Sequence, residues 1–415
     1  MRICRLLLAA VLAALILSCA GPSVNRGEDE PHSAGLLPSD GISREAMLAD
    51  FDFFHSAMAD IFYFAEDADI RETFRQEVAE ALSLPAFLNI VERDVRSFKG
   101  IGHLAIVDRP LVTAYAAGGN SVSGLSDYRK LVQTLFVSAL SAPAYAPSAS
   151  LGNIPITFPH SPPGSDLSAI SPEIYHRDLS EDIAYMRVDS MPYRMSDGET
   201  RALYDFYQTL GDKNHLVIDL RYCRGGSIAF WKEHMVSQLS ETDVRYKKHL
   251  VFDQSSISTP FFKAPHIYSD AAARETLMDD KIVPLADFFE GCRFHSIEET
   301  VAKAGTSICF QGNIWLLTGE RTFSAADAFV YFCSYTGFAQ TVGRETGGNG
   351  IVPGTDLIAY FSLPNTGVLL TYYPFCGVNV DGTPNVFGGA RPDVWVEGDA
   401  LSFLKATLLQ EAASD

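Results

Sequence analysis

With 415 residues, 47% hydrophobic and 20% charged, the chain is long enough to bury a substantial core and to form two or three domains. A formal net charge of −19 and the lack of any Lys/Arg-rich stretch exclude a nucleic-acid partner, which needs a basic face to release counterions; the acidic balance serves solubility. Seven cysteines without a Cys-x-x-Cys or other ligand spacing give no reason to expect a metal, and no cofactor is called for.

In chain order, Arg2 and Arg5 flank the start of an apolar run from Leu6 to Leu17, of signal-peptide length and too short to span a bilayer comfortably. The run ends Ile16-Leu17-Ser18-Cys19, which resembles a bacterial lipobox. That resemblance implies a signal peptide over residues 1–18 and acylation of Cys19, placing the protein on a membrane of the cell envelope, outside the cytoplasm. Each buried methylene of such an anchor contributes ~0.8 kcal/mol. The alternative is ordinary cleavage after a small residue, with Cys19 incidental. Residues 19–42 are polar and aperiodic and include Pro22, Pro31 and Pro38, the composition of a tether.

From Ser43, a plausible N-cap, Met47, Phe51, Phe54, Met58 and Ile61 recur at helical spacing. Ile70, Phe74, Val78 and Leu82 mark a second helix, and Pro85 opens a third that carries Leu88, Val91, Val95 and Phe98. This helical region spans residues 43–109 and ends around Lys99-Gly100-Ile101-Gly102-His103. Residues 110–175 are expected to be an irregular accessory segment, with one helix over about residues 126–140 and an Ala/Pro/Ser-rich loop after it. From Asp182, apolar strands at 183–188, 215–220, 313–317 and 339–342 alternate with helices at 200–210 and 324–335. Such alternation predicts an α/β layer with a largely parallel sheet. Of the five cysteines beyond the anchor, Cys292 and Cys309 are candidates for a disulfide; buried free thiols are expected for most of them.

Four short segments carry candidate chemistry. Gly225 and Gly226, after the strand ending Asp219-Leu220, let backbone amides approach an oxyanion, or simply make a tight strand–helix connection. Ser324 starts a helix after the turn Thr318-Gly319-Glu320-Arg321-Thr322-Phe323; it is placed to attack a substrate, or merely to cap the helix. Gly343-Arg344-Glu345-Thr346-Gly347-Gly348-Asn349-Gly350 lines a cleft or forms a long loop, and Gly388-Gly389-Ala390-Arg391-Pro392-Asp393-Val394 closes the series.

In this order the four segments resemble the catalytic domain of the S41 peptidases, which include the tail-specific or C-terminal-processing proteases and the tricorn core. The likeness covers about residues 180–397. It implies an α/β domain, ClpP/crotonase-like, over residues 176–405, preceded by the helical accessory region. It implies a serine peptidase acting on peptides or unfolded proteins. Residues 110–175 show no PDZ-type carboxylate-binding loop. Carried over position by position, Ser324 matches the nucleophile. The amides of Ala325 and of Gly225 or Gly226 match the oxyanion hole, and Thr346, Gly347, Gly348 and Asn349 match the substrate cleft. Processing proteases place a lysine where this chain has Asn349, and asparagine cannot take a proton from serine, so a Ser–Lys dyad is not expected. The tricorn-like branch delivers a histidine from the preceding helical segment, and His103 resembles it; otherwise His103 is an ordinary polar residue at a helix–strand junction. The glutamate of that branch falls on Val386, leaving Glu345, Asp381 and Glu397 as unranked orienting partners. The runner-up function is a degenerate family member that binds peptides or apolar ligands without turnover; a purely adhesive or scaffolding lipoprotein is third.

Overall fold

Every apolar position of the first predicted stripe is buried, and that stripe seats the N-terminal helices. The computed structural model describes residues 42–62, 68–98, 100–117, 127–146, 149, 166–252, 257–261, 282, 294–305, 308, 310–353, 358–386 and 388–413. Cys19, the signal and tether calls, and Cys292 and Cys309 lie outside these residues. Helices α1 (Arg44–Ile61), α2 (Ala68–Glu80) and α3 (Leu84–Ser97) follow in order. The Ser43 hydroxyl accepts from the Ala46 amide at 3.2 Å and the Ser83 hydroxyl from Ala86 at 3.3 Å, each satisfying one orphan N–H of a first turn. Met47, Phe51, Phe54, Met58 and Ile61 face one core. One 3₁₀ turn, Ile101–His103, leads into β1 (Ala105–Ile106), α4 (Arg109–Ala117) and α5 (Asp127–Leu140).

Within residues 110–175 the predicted helix is present as α5, and the described residues add elements that the sequence left irregular. Helices α4 and α5 bury Val112 and Phe136 in the N-terminal core. Strands β2 (Ser168–Ser171) and β3 (Ile174–Asp178) already belong to the main sheet, so that sheet begins before residue 176. Both are short and largely polar, β2 at the sheet edge and β3 beside it with His176, Arg177 and Asp178; they lack the apolar run that marks a central strand.

The main sheet also holds β4 (Ile183–Val188), β5 (His215–Asp219), β8 (Asn313–Thr318), β9 (Gln340–Gly343) and β13 (Val394–Trp395), in the order β13-β9-β8-β5-β4-β3-β2. It is parallel from β13 to β4 and antiparallel beyond. Alternate side chains face opposite layers, as the two-residue strand period requires. Leu216, Ile218 and Leu316 meet Tyr207, Trp231, Phe329 and Phe332, which come from α6 (Asp197–Gln208), the helix over Ile228–Leu239 (α7, with a π turn at Lys232–Val236) and α8 (Ala325–Thr336). On the other face, Tyr185, Val217, Leu317 and Val342 meet Leu404 and Leu408 of α9 (Ala400–Ala412). The α/β architecture and the preceding helical region are as expected.

Two smaller antiparallel sheets complete the fold. One pairs β6 (Val244–Phe252) with β7 (Phe294–Ala302) and with β12 (Cys376–Gly377); the other sets β11 (Leu369–Tyr372) between β1 and β10 (Ala359–Ser362). The second joins the N-terminal region to a hairpin more than 250 residues downstream in the chain, pairing Ala105 with Thr371. Asp50 clasps the same hairpin. One of its carboxylate oxygens accepts from the Thr366 amide (2.7 Å) and hydroxyl (2.5 Å), and the other from Asn365 backbone and side-chain N–H groups at 2.8 and 2.9 Å. Asp50 is fully buried, and four donors compensate the loss of water around its charge.

Candidate active site

Three parallel strands deliver the predicted segments to one edge. β5 runs into Gly225-Gly226, β8 into Ser324, and β9 into the turn through Asn349. Crevices at the carboxyl ends of neighbouring parallel strands are where open α/β sheets bind ligands.

Ser324 sits immediately before α8 with φ 58 and ψ −124, and its side chain makes no cap hydrogen bond to that helix. The turn is held from several sides. The Thr322 hydroxyl donates to the Leu220 carbonyl (2.7 Å) and Phe323 N–H to the Cys223 carbonyl (3.0 Å). Ser324 N–H donates to the Gly348 carbonyl (3.0 Å), and the Ser324 carbonyl accepts from Ala328 N–H (2.8 Å). Such over-determination is what keeps a non-glycine residue at positive φ.

The Ser324 hydroxyl lies 2.8 Å from His103 Nε2. His103 is carried by a turn in which Gly100, Gly102 and His103 itself have φ 78, 51 and 55. A Cβ on Gly102 would stand 2.6 Å from both Phe62 Cζ and the Tyr373 carbonyl oxygen, so the turn requires glycine there. Tyr373 N–H donates to the Gly102 carbonyl at 2.6 Å, and Gly102 N–H donates to Asn349 Oδ1 at 2.8 Å. The imidazole lies against Phe323 and Tyr373, with ring centroids 5.2 and 5.1 Å away. This enclosure removes water from the ring and lowers its pKa to about 4, with no charged side chain contributing. The ring is therefore neutral at neutral pH, and in the Nδ1–H tautomer its Nε2 lone pair accepts the serine proton.

The third member of a relay is not supplied by the carboxylates named from sequence. Glu345 and Asp381 both lie 3.7 Å from Arg391. Glu397 accepts from Trp395 Nε1 at 2.8 Å and stands 3.4 Å from Arg344. Val386 is buried in the N-terminal core. Among the described residues His103 Nδ1 is buried with no hydrogen-bond partner.

Beside the serine, Ala325 opens α8, so its N–H has no acceptor within the helix. Gly225, at φ 91, abuts it: a Cβ there would lie 2.7 Å from the Ala325 nitrogen and 2.9 Å from Ser324 Cβ. Gly226, at φ 128, leaves only 2.0 Å between an added Cβ and the Met191 carbonyl oxygen. The Gly225 carbonyl accepts from Met191 N–H and Ser227 N–H donates back to Met191, both at 2.8 Å. Gly225 is thus fixed against the elbow beside the Ala325 amide, and Gly226 against Met191.

The Gly-rich turn behaves differently from a cleft lining. Thr346 and Asn349 are buried and point inward. Thr346 donates to Asp327, which also accepts from Gly350 N–H (2.9 Å), Asn385 Nδ2 (2.8 Å) and Ala390 N–H (3.2 Å). Burial raises the Asp327 pKa, and these hydrogen bonds oppose the rise. Gly347 remains partly accessible, and Gly348 serves through its carbonyl on Ser324. Asp327 and Asn385 were not singled out from sequence. Asp327 was visible three residues after Ser324, inside the motif; Asn385 gave no signal beyond a turn-forming residue type.

The family model described as Peptidase family S41 matches residues 182–394, which contain the Gly-Gly turn, Ser324 and the Gly-rich turn. No curated protein matches the chain. Among solved structures the chain is similar to mature CPAF complexed with lactacystin, at 12% identity and a TM-score of 0.51, over 90% of this chain and 99% of that one. It is also similar to a lipoprotein from Streptococcus agalactiae (13% identity, TM-score 0.40, 88% and 96% covered). A third similar structure is the photosystem II D1 C-terminal processing protease (15%, 0.32, 56% and 46%). The match over half of the chain, falling on these elements, makes the protein a member of peptidase family S41.

Proposed function

We propose that this is an exported, lipid-anchored serine peptidase that cleaves peptides or unfolded proteins through an acyl-enzyme, with His103 in place of the lysine of the processing proteases. The 2.8 Å contact between His103 Nε2 and Ser324 Oγ, joining residues 221 positions apart, carries this reading. Ser324 Oγ attacks the scissile carbonyl while Nε2 takes its proton. The oxyanion is met by the Ala325 amide and by that of Gly225 or Gly226, each donor worth about 3 kcal/mol. The imidazolium then protonates the leaving amine, and a water activated by the neutral ring releases the acyl group. The assignment to the histidine-using, tricorn-like branch belongs to the same proposal, as does membrane attachment through an acylated Cys19.

Reaction with a fluorophosphonate probe tests the nucleophile: the wild-type protein is labelled and Ser324→Ala is not. Labelling of both, or of neither beside a reactive control hydrolase, removes the assignment. Metabolic incorporation of palmitate, lost in Cys19→Ala, tests the anchor. A second reading, peptide binding without turnover, draws support from the buried Nδ1 of His103, which finds no acceptor among the described residues. It predicts peptide affinity that Ser324→Ala leaves unchanged and no labelling of the wild type.

A further inference from the structure

Asn349 is more than the residue found where a lysine was sought. It has φ 62, a left-handed conformation that asparagine tolerates better than most side chains. It is almost fully buried, and its own N–H is bound to the Asn385 carbonyl at 2.9 Å. This backbone directs Oδ1 at Gly102 N–H, 2.8 Å away and 247 positions earlier in the chain. Within the 3₁₀ turn, His103 N–H and Leu104 N–H bond to the carbonyls of Gly100 and Ile101, both at 2.8 Å. Gly102 is the residue whose donor is held from across the site. Its carbonyl is held too, by Tyr373 N–H at 2.6 Å. Gly102 has no Cβ to restrict it, and rotation about it would swing the His103 imidazole away from the serine. The neighbouring residue of the same turn, Gly348, accepts from Ser324 N–H at 3.0 Å.

We infer that Asn349 is a positioning residue: through its side chain on Gly102, and through Gly348 on Ser324, one Gly-rich turn holds both members of the Ser324–His103 pair in register. The inference rests on the reading of that pair as nucleophile and base. A group held at hydrogen-bond distance contributes only while its geometry persists, and a displacement of about 1 Å costs on the order of 100-fold in rate. The role is thus distinct from the proton transfer that a lysine in this place would perform.

Asn349→Gly is the incisive variant, because glycine keeps the left-handed backbone while the side chain that carries the acceptor is removed. Fluorophosphonate labelling is expected to slow by about 10- to 100-fold, while the thermal midpoint changes little. Asn349→Asp retains an oxygen acceptor and is expected to recover most of the rate. In a His103→Ala background, Asn349→Gly is expected to cost nothing further, since its effect passes through the imidazole. An equal loss in that background, or an unaffected rate in the single variant, overturns the inference while leaving the peptidase reading intact. Should Asn349→Gly unfold, Asn349→Ser, with a hydroxyl too short to reach Gly102, carries the same expectations. Nitrogen-15 NMR of the His103 ring gives a readout independent of turnover. Asn349→Gly is expected to release the ring and return its titration toward 6.5; an unmoved titration overturns the inference even in a protein that no probe labels.

Discussion

Enclosure by Phe323 and Tyr373 holds the His103 imidazole neutral down to about pH 4, against about 6.5 for an exposed histidine. The consequence for rate follows from the neutral fraction. At pH 5.5 an ordinary histidine is about 9% neutral, whereas a ring of pKa about 4 is about 97% neutral, a tenfold difference in competent base. The second-order rate of fluorophosphonate labelling, measured from pH 4 to 9, is therefore expected to keep its plateau through pH 5.5 and to fall only near 4.

The same enclosure ties stability to pH with a definite sign. The unfolded chain binds a proton on His103 below about 6.5, and the folded protein resists doing so until about 4. Nothing is lost above 6.5; between 6.5 and 4 folding loses about 1.4 kcal/mol per pH unit, reaching about 3 kcal/mol. Urea unfolding of wild type and of His103→Asn, which tolerates the same backbone without titrating, isolates this share. The wild type is expected to lose about 3 kcal/mol more than the variant between pH 7 and 4. A labelling limb near 6.5, or identical pH dependence in the two proteins, refutes the reasoning from enclosure.

Gly225→Ala places a methyl between 2.6 and 2.9 Å from the Phe323 carbonyl oxygen, Ala325 N and Ser324 Cβ; labelling is expected to drop at least about 100-fold, with far-UV circular dichroism unchanged. Asp327→Ala removes the acceptor of Thr346, Asn385, Gly350 and Ala390 and strands the Thr346 hydroxyl and the Ala390 N–H, and denaturant unfolding is expected to show a loss of about 3–5 kcal/mol. Asp50→Ala releases four hydrogen bonds from Asn365 and Thr366. It is expected to cost about 2–4 kcal/mol and to slow labelling as well, because the His103 turn rides on the same core.

What the sequence disclosed and what it hid divide along chain separation. The α1 stripe, the buried strands β4, β5 and β8, and the Gly225-Gly226 and Ser324 turns were legible because each signal lies within one short stretch of chain, the longest being Met47 to Ile61. Strands β2 and β3 escaped because their short, largely polar runs mimic loop. Strands β10 and β11 span only four residues each, too short for a period to register. Asp50 sits beside Phe51 in the apolar stripe, and a carboxylate there signals a buried partner without naming Thr366. Nothing local to Asn349 points to Gly102. That substitution first counted against a Ser–Lys dyad; its geometry suits a site organised around His103.

Whether Ser324 caps α8 or attacks substrate was open in sequence, and the chain contains its own controls. Ser43, Ser83 and Ser196 cap helices with φ −75, −155 and −69 and ψ near 160, and each accepts from a first-turn amide. Ser324 stands at φ 58, ψ −124 and makes no such bond. It therefore forgoes a cap worth about 1 kcal/mol and bears backbone strain of about 1–3 kcal/mol. Both costs are explained if the turn is built to present the hydroxyl to His103 rather than to α8. Removing the side chain relieves the strain, so Ser324→Gly is expected to raise folding stability by about 1 kcal/mol or more while abolishing labelling. Ser43→Ala, which deletes a working cap, is expected to lower stability by about 1 kcal/mol and leave labelling intact. If Ser324→Gly instead destabilises the protein as cap removal does, the hydroxyl supports the helix and the argument for a strained, functional elbow is lost.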